Sequence, residues 1–449
     1  MRHNRIWKRA GLCLMCICLL VGFSGCLLKS PEELYTLPKQ TEAYYDLQAA
    51  IDEVITADVA YSAPMSGENR QPVQMQDLDG DGRNEAILFA KTAAEKPLKI
   101  YIFHEENSKY QLSSTIEGNG INFNSVSYAQ LDGIPGLEII VGRSISDQVH
   151  KSVSVYTYQR SSTVELLSAN YSNFTTTDLD SDGRQDLFLI RLDAEMQTGS
   201  AELYRYSEGM LVRDPELALS VGSGTVWRMI TGYTDTDVPA VFVASMPEES
   251  KVITDVFVIR DGVMQNIAAS NEAGGSLTVR NYIASATDID EDGLIELPDV
   301  QTLPDWTDAA DTTAFRLIQW FNLTAEGDKN EKILTYHDYS QGIYMELDAA
   351  WKDRITIKVD NTVENGIGYT FNCWSGSNIP EEEIFTLYMF SGDNRAELAQ
   401  SDGRFLLGEK NDVCYAASLS DSEWAAELTE EILRSRFHFI HTDWNSGEM

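Results

Sequence analysis

Short apolar runs separated by polar, turn-rich stretches dominate the chain from about residue 73 onward, and they are too short for helices. In the first such block the pattern predicts four strands, at 73–76, 86–90, 99–103 and 110–115. The matching third strands of later blocks fall at 153–158, 202–206, 255–259 and 315–321. Upstream the period changes. Tyr44, Leu47, Ile51, Val54 and Ile55 recur at intervals that fit one helical face, so 41–55 is predicted as a helix capped by Thr41. After Tyr339 the strands predicted at 342–347, 355–359, 368–374, 384–390 and 413–417, with a helix over 421–434, describe a small α+β domain spanning 341–449.

The β blocks repeat. Asp77-Leu78-Asp79-Gly80-Asp81-Gly82-Arg83-Asn84-Glu85 precedes the run Ala86-Ile87-Leu88-Phe89. The motif returns as Asp178-Leu179-Asp180-Ser181-Asp182-Gly183-Arg184-Gln185-Asp186 and again as Asp288-Ile289-Asp290-Glu291-Asp292-Gly293-Leu294-Ile295-Glu296, 101 and 110 residues further on in turn. Those steps are about twice a blade length, and degenerate copies stand between them at Leu131-Asp132-Gly133…Glu138 and at Thr234-Asp235-Thr236-Asp237. Five units of roughly 50 residues, each with room for four strands, have the spacing of propeller repeats. A lone four-stranded sheet cannot cover both its faces, so such units must stack. The expected fold is mainly β: a five-bladed propeller over 70–340 followed by the α+β domain.

Net charge changes what this fold can bind. The chain carries −36, although four of its positive charges (Arg2, Arg5, Lys8, Arg9) sit at the very start. So negative a surface repels phosphate, so nucleic acid is excluded as a partner and cations are favoured. The basic start leads into an apolar run from Ala10 to Phe23, an export signal over 1–25 that is too short to span a bilayer comfortably. Phe23-Ser24-Gly25-Cys26 resembles the lipobox of bacterial lipoproteins. That resemblance implies cleavage before Cys26, acylation of Cys26, and anchorage on the outer face of the cytoplasmic membrane. Residues 26–69 then read as a tether and helix. Beyond the anchor only Cys373 and Cys414 remain, and they could form a disulfide or stand as two buried thiols.

Candidate chemistry lies in the acidic loops. Asp at positions one, three and five of a tight turn aims three carboxylates at one centre, and Gly at six allows the bend. A carbonyl at seven and an acid at nine complete an oxygen shell suited to calcium rather than to softer metals. The assigned ligands are Asp77, Asp79, Asp81, the Arg83 carbonyl and Glu85; Asp178, Asp180, Asp182, the Arg184 carbonyl and Asp186; and Asp288, Asp290, Asp292, the Leu294 carbonyl and Glu296. About three structural Ca²⁺ sites result. The degenerate copy with Gln130 and Ile134 in place of carboxylates is expected to be metal-free.

These loops and their following strands resemble FG-GAP or VCBS repeats, the bacterial propeller repeats related to the head of integrin alpha subunits. The resemblance covers about 60% of the chain and implies a propeller with calcium between the first two strands of a blade. The Phe-Gly and Gly-Ala-Pro signatures of that family are missing. The C-terminal region, with Leu347, Trp351-Lys352 and Ile355-Thr356-Ile357, is similar to a domain that follows such repeats in lipoproteins of Gram-positive bacteria. The expected function is a surface module or scaffold engaging an unknown protein or glycan, without catalysis. The alternative is a polysaccharide-active enzyme with a site built from distant loops. His438 and His441 are the other metal-ligand candidates, but strand alternation puts them on opposite faces.

Overall fold

The computed structural model describes residues 42–146, 151–160, 162–193, 195–222, 224–269, 275–303, 315–376 and 382–440. The expected export signal, Cys26, the expected tether and cap at Thr41, and His441 lie outside them.

The fold is mainly β: six antiparallel sheets follow one another along the chain. Each of the five sequence repeats forms one sheet, and 355–419 form the sixth. Strand composition follows position in the sheet. Glu85–Thr92 runs between neighbours on both sides and has its first six residues buried. A strand covered on both faces reads as a continuous apolar run rather than an alternation. Edge strands such as Lys109–Gly118 keep mostly polar, half-exposed residues.

The sheets stack face to face, and alternation sends successive residues of one strand into different cores. Ile87 and Phe89 meet Val126, Ile139 and Val141 of the second sheet. Ala86 and Leu88, on the opposite face, pack beneath the helix Glu42–Val54 through Ile51. The same logic continues along the chain: Ile140 and Val155 with Leu187 and Leu189, then Phe188 and Ile190 with Val241 and Val243, then Phe242 and Val256 with Leu297 and Phe321. Among the described residues, no hydrophobic cluster joins the first sheet to the sixth.

Two expectations change. The boundary at 340/341 falls inside a sheet, because Ile343–Leu347 pairs with Lys329–Asp338 and is extended by Phe437–Phe439. Tyr336 and Met345 share one core with Phe371 and Phe385 of the sixth sheet. The helix expected over 421–434 is instead a short 3₁₀ turn, Glu423–Ala425, and a separate helix, Glu430–Arg436, whose cap is the Thr429 hydroxyl accepting from the Ile432 N–H. A β-region cap residue interrupts the helical path that the apolar spacing suggested.

Cys373 and Cys414 are both buried and are not joined to each other in a disulfide. Cys414 pairs with Phe390, whose other neighbour is Gly366, the first residue of the strand that Cys373 ends. The two cysteines therefore stand at opposite ends of the sixth sheet with a strand between them. Disulfide geometry needs Cα atoms within about 7 Å.

Candidate metal loops

The first two intact acidic loops each connect the first two strands of their repeat. Residues 77–84 join Val73–Gln76 to Glu85–Thr92, and 178–185 join Asn173–Thr177 to Asp186–Asp193. In the fifth repeat the frame is the bridge between Thr287 and Glu296. Loops of consecutive sheets touch at the same edge of the stack. Gly80, with φ of +72°, lies so close to Pro135 that a Cβ there would meet its backbone at 2.5 Å. Further along, the Gln185 N–H donates to the Gln130 carbonyl at 2.9 Å, and the Ile295 N–H to the Tyr233 carbonyl at 2.7 Å.

Within each intact loop the first aspartate organises the turn. Asp77 accepts from the N–H groups of Gly80 and Gly82, Asp178 from Asp182 and Gly183, and Asp288 from Asp292 and Gly293. The acid at position nine turns back under the loop. Glu85 accepts from the Leu78 N–H at 2.9 Å, Asp186 from Leu179 at 3.1 Å, and Glu296 from Ile289 at 3.1 Å. The degenerate copy keeps this bond, with Glu138 accepting from Leu131 at 2.7 Å. All four carboxylates are buried. The position-nine bond is thus a property of the repeat, independent of the other acids.

Potential ligand atoms converge within 4.8 Å of one another in four groups: Asp77, Asp79 and Asp81; Asp79, Glu85 and His104; Asp178, Asp180 and Asp186; and Asp288, Asp290 and Glu296. These clusters could hold a metal ion. The position-five acids behave differently from expectation in the second and third loops, where Asp182 and Asp292 stand outside the clusters. Asp182 is held by the Arg184 guanidinium, whose Nε is 2.9 Å away, and Asp292 by the Lys332 ammonium. Asp81 is likewise bound by Arg83 at 2.6 Å. At position seven the Arg83, Arg184 and Leu294 N–H groups donate to those same aspartates, each at 2.9 Å.

Burial and mutual repulsion set the electrostatics. Burial, together with the charge of Asp180, pushes the Asp186 carboxyl up to about 7. Burial, with the charges of Asp290 and Asp292, pushes Glu296 up to about 8. A bound cation reverses that field. The donor chemistry fits a hard divalent ion: the clusters of the second and third loops offer only oxygen, and the Glu296 Oε1 atom is buried with no hydrogen-bond partner.

Sequence reasoning missed the cations beside the loops. His104 Nδ1 lies 2.8 Å from Glu85, Arg160 lies 3.3 Å from Asp79, and Arg205 lies 3.1 Å from Asp180. The register between second and third strands could have found two of them. Ala86 faces Phe103 and Leu187 faces Tyr204, so the next residues along are Glu85 with His104 and Asp186 with Arg205. Of the two histidines weighed as ligands, His438 is stacked on Tyr344 at 4.7 Å, with Nε2 2.7 Å from Glu346.

Glu138 supplies a pH test. Burial pushes its carboxyl from an ordinary 4.5 up to about 7, and nearby Asp132 adds to the shift. A folded pKa above the unfolded one gives a contribution to stability that is complete below about 4.5 and is lost as pH rises through about 7. Glu138→Gln keeps the acceptor for Leu131 without the charge. The variant should melt higher than the parent at pH 8 and show a shallower decline between pH 5 and 8. Parallel melting profiles across that range would refute the assignment.

No family model matches this chain, and no curated protein matches it. Among solved structures, the rhamnogalacturonan lyase YesW aligns at 12% identity and a TM-score of 0.28, covering 73% of this chain and 76% of its own. A rhamnogalacturonan lyase from Bacillus licheniformis aligns at 12% identity and a TM-score of 0.29, covering 70% of each chain. A Lactobacillus plantarum protein aligns at 9% identity and a TM-score of 0.26, covering 71% of this chain and 88% of its own. Likeness of this degree carries no argument about activity.

Proposed function

We propose that this chain is an exported, lipid-anchored surface protein of the FG-GAP/VCBS-like class, whose stacked sheets are the blades of a calcium-stabilised propeller. Its role is to bind or scaffold an envelope or extracellular protein or glycan, with the loop-bearing edge of the stack held rigid by the ions. One observation supports this most: three acidic loops occupy the same position in their repeats, and each gathers carboxylates from both strand ends. An ion there would cross-link two strand ends and neutralise acids that otherwise repel. The chain's own residues divide the work. The position-one aspartates shape the turns and, with the position-three and position-nine acids, would offer the ligand atoms, while each position-five acid is paired with a neighbouring cation.

Among the described residues, no helix is long and apolar enough to cross a membrane, so attachment in this reading falls to acylated Cys26. The binding role is tested by pulldown from the native cell envelope with the calcium-loaded full chain, against the same chain in EDTA. Specific partners retained only with calcium are expected. Turnover of a wall polysaccharide by the purified, calcium-loaded protein would instead establish the enzymatic alternative.

A further inference from the structure

The three intact loops share a motif but differ in how much of their charge is already answered. In the first, Asp81 is paired with Arg83, Asp79 with Arg160, and Glu85 with His104. In the second, Asp182 is paired with Arg184 and Asp180 with Arg205. In the third, Lys332 binds Asp292, which lies outside the cluster. Among the described residues, no lysine, arginine or histidine forms an ion pair with Asp288, Asp290 or Glu296.

Strand register gives the reason. The third-strand residue beside position nine is His104 in the first repeat and Arg205 in the third. In the fifth repeat Leu297 faces Phe321, so the corresponding residue is Asn322, which is neutral and buried. Nothing there plays the part of a cation. Glu296 is fully buried, and its Oε1 has no hydrogen-bond partner. Leaving a buried carboxylate oxygen unsatisfied is costly, and the neighbouring acids Asp288 and Asp290 deepen the cost. A divalent cation removes it directly. In the other two loops an incoming ion must compete with guanidinium or imidazole groups already bound to its ligands.

We propose that the third loop, Asp288 to Glu296, is the tightest of the three divalent-cation sites, and that Lys332 limits its affinity. Resting on the calcium reading above, this ranks its sites and names the side chain that tunes one of them. Lys332 pairs with Asp292, which also hydrogen-bonds Asp290, and its charge is felt at Asp290 and Glu296. Removing that charge strengthens the attraction for a cation and frees Asp292 as a further oxygen donor.

The test is a calorimetric titration of the calcium-stripped full chain with CaCl₂, alongside Asp79→Asn, Asp180→Asn, Asp290→Asn and Lys332→Met, each checked by circular dichroism for parental folding. The tightest binding step should be lost in D290N and kept in D79N and D180N. K332M should tighten that step by about threefold to tenfold, the scale of one charge removed at close range near a protein surface. Loss of the tightest step in D79N or D180N, or an unchanged constant in K332M, would overturn the ranking while leaving calcium binding intact. Absence of any step in the parent chain up to millimolar calcium would instead remove the calcium reading itself. Should D290N fail to fold, the K332M result decides, because Lys332 is only partly buried and stands outside the ligand set.

Discussion

Stripping divalent cations with EDTA is expected to lower the melting temperature of the full chain by about 10 °C relative to the same protein in about 2 mM calcium. Three acidic clusters each place carboxylate atoms within 4.8 Å of one another, and they do so only in the folded state. A ligand that binds only the folded chain stabilises it in proportion to the logarithm of its occupancy ratio. With an affinity near 0.1 mM, common for extracellular modules, each site contributes roughly 2 kcal/mol. Magnesium should substitute poorly, because it demands a tighter octahedral shell and gives up water reluctantly. A melting temperature unaffected by EDTA would sink the metal assignment for all three loops together.

Replacing Phe89 by Ala should be nearly as damaging, at about 3–5 kcal/mol. Phe89 is fully buried and contacts Phe123 of the second sheet edge to face, with ring centroids 5.1 Å apart. It belongs to the core between the first and second sheets, together with Ile87, Ile100 and Val141. Truncation loses the buried area and leaves a cavity that two sheets fixed by their own hydrogen-bond ladders cannot collapse to fill. The urea midpoint reads the effect. A cost below about 1 kcal/mol would mean that these sheets are not packed through this face.

Much of the local architecture was legible in order along the chain. Central strands announced themselves as apolar runs bounded by turns: the expected 86–90 and 99–103 lie within Glu85–Thr92 and Leu98–Glu106. The helix expected over 41–55 is observed as Glu42–Val54, with Ile51 against the first sheet. The loop position that the resemblance implied, between the first two strands of a unit, is seen for 77–84 and 178–185. Less regular strands escaped. Phe405–Lys410 and Phe437–Phe439 have no clean alternation bounded by turns, and the second exists as a strand only because Ile343–Leu347 offers it an edge.

Sequence alone determined the periodic features: the sheet class, the five repeats and the acids of the loops. These depend on neighbours a few residues apart, whose spacing is printed in the chain. Tertiary structure decided whatever depends on residues brought together from afar. It separated Cys373 from Cys414 by placing a whole strand between them, and it tied Ile343–Leu347 to the fifth sheet across the expected boundary. It also gave three similar loops unequal surroundings, by standing His104, Arg205 or Asn322 beside an otherwise equivalent carboxylate. The physical reason is that a carboxylate's character is set less by its own motif than by burial and by the charges that folding carries to it.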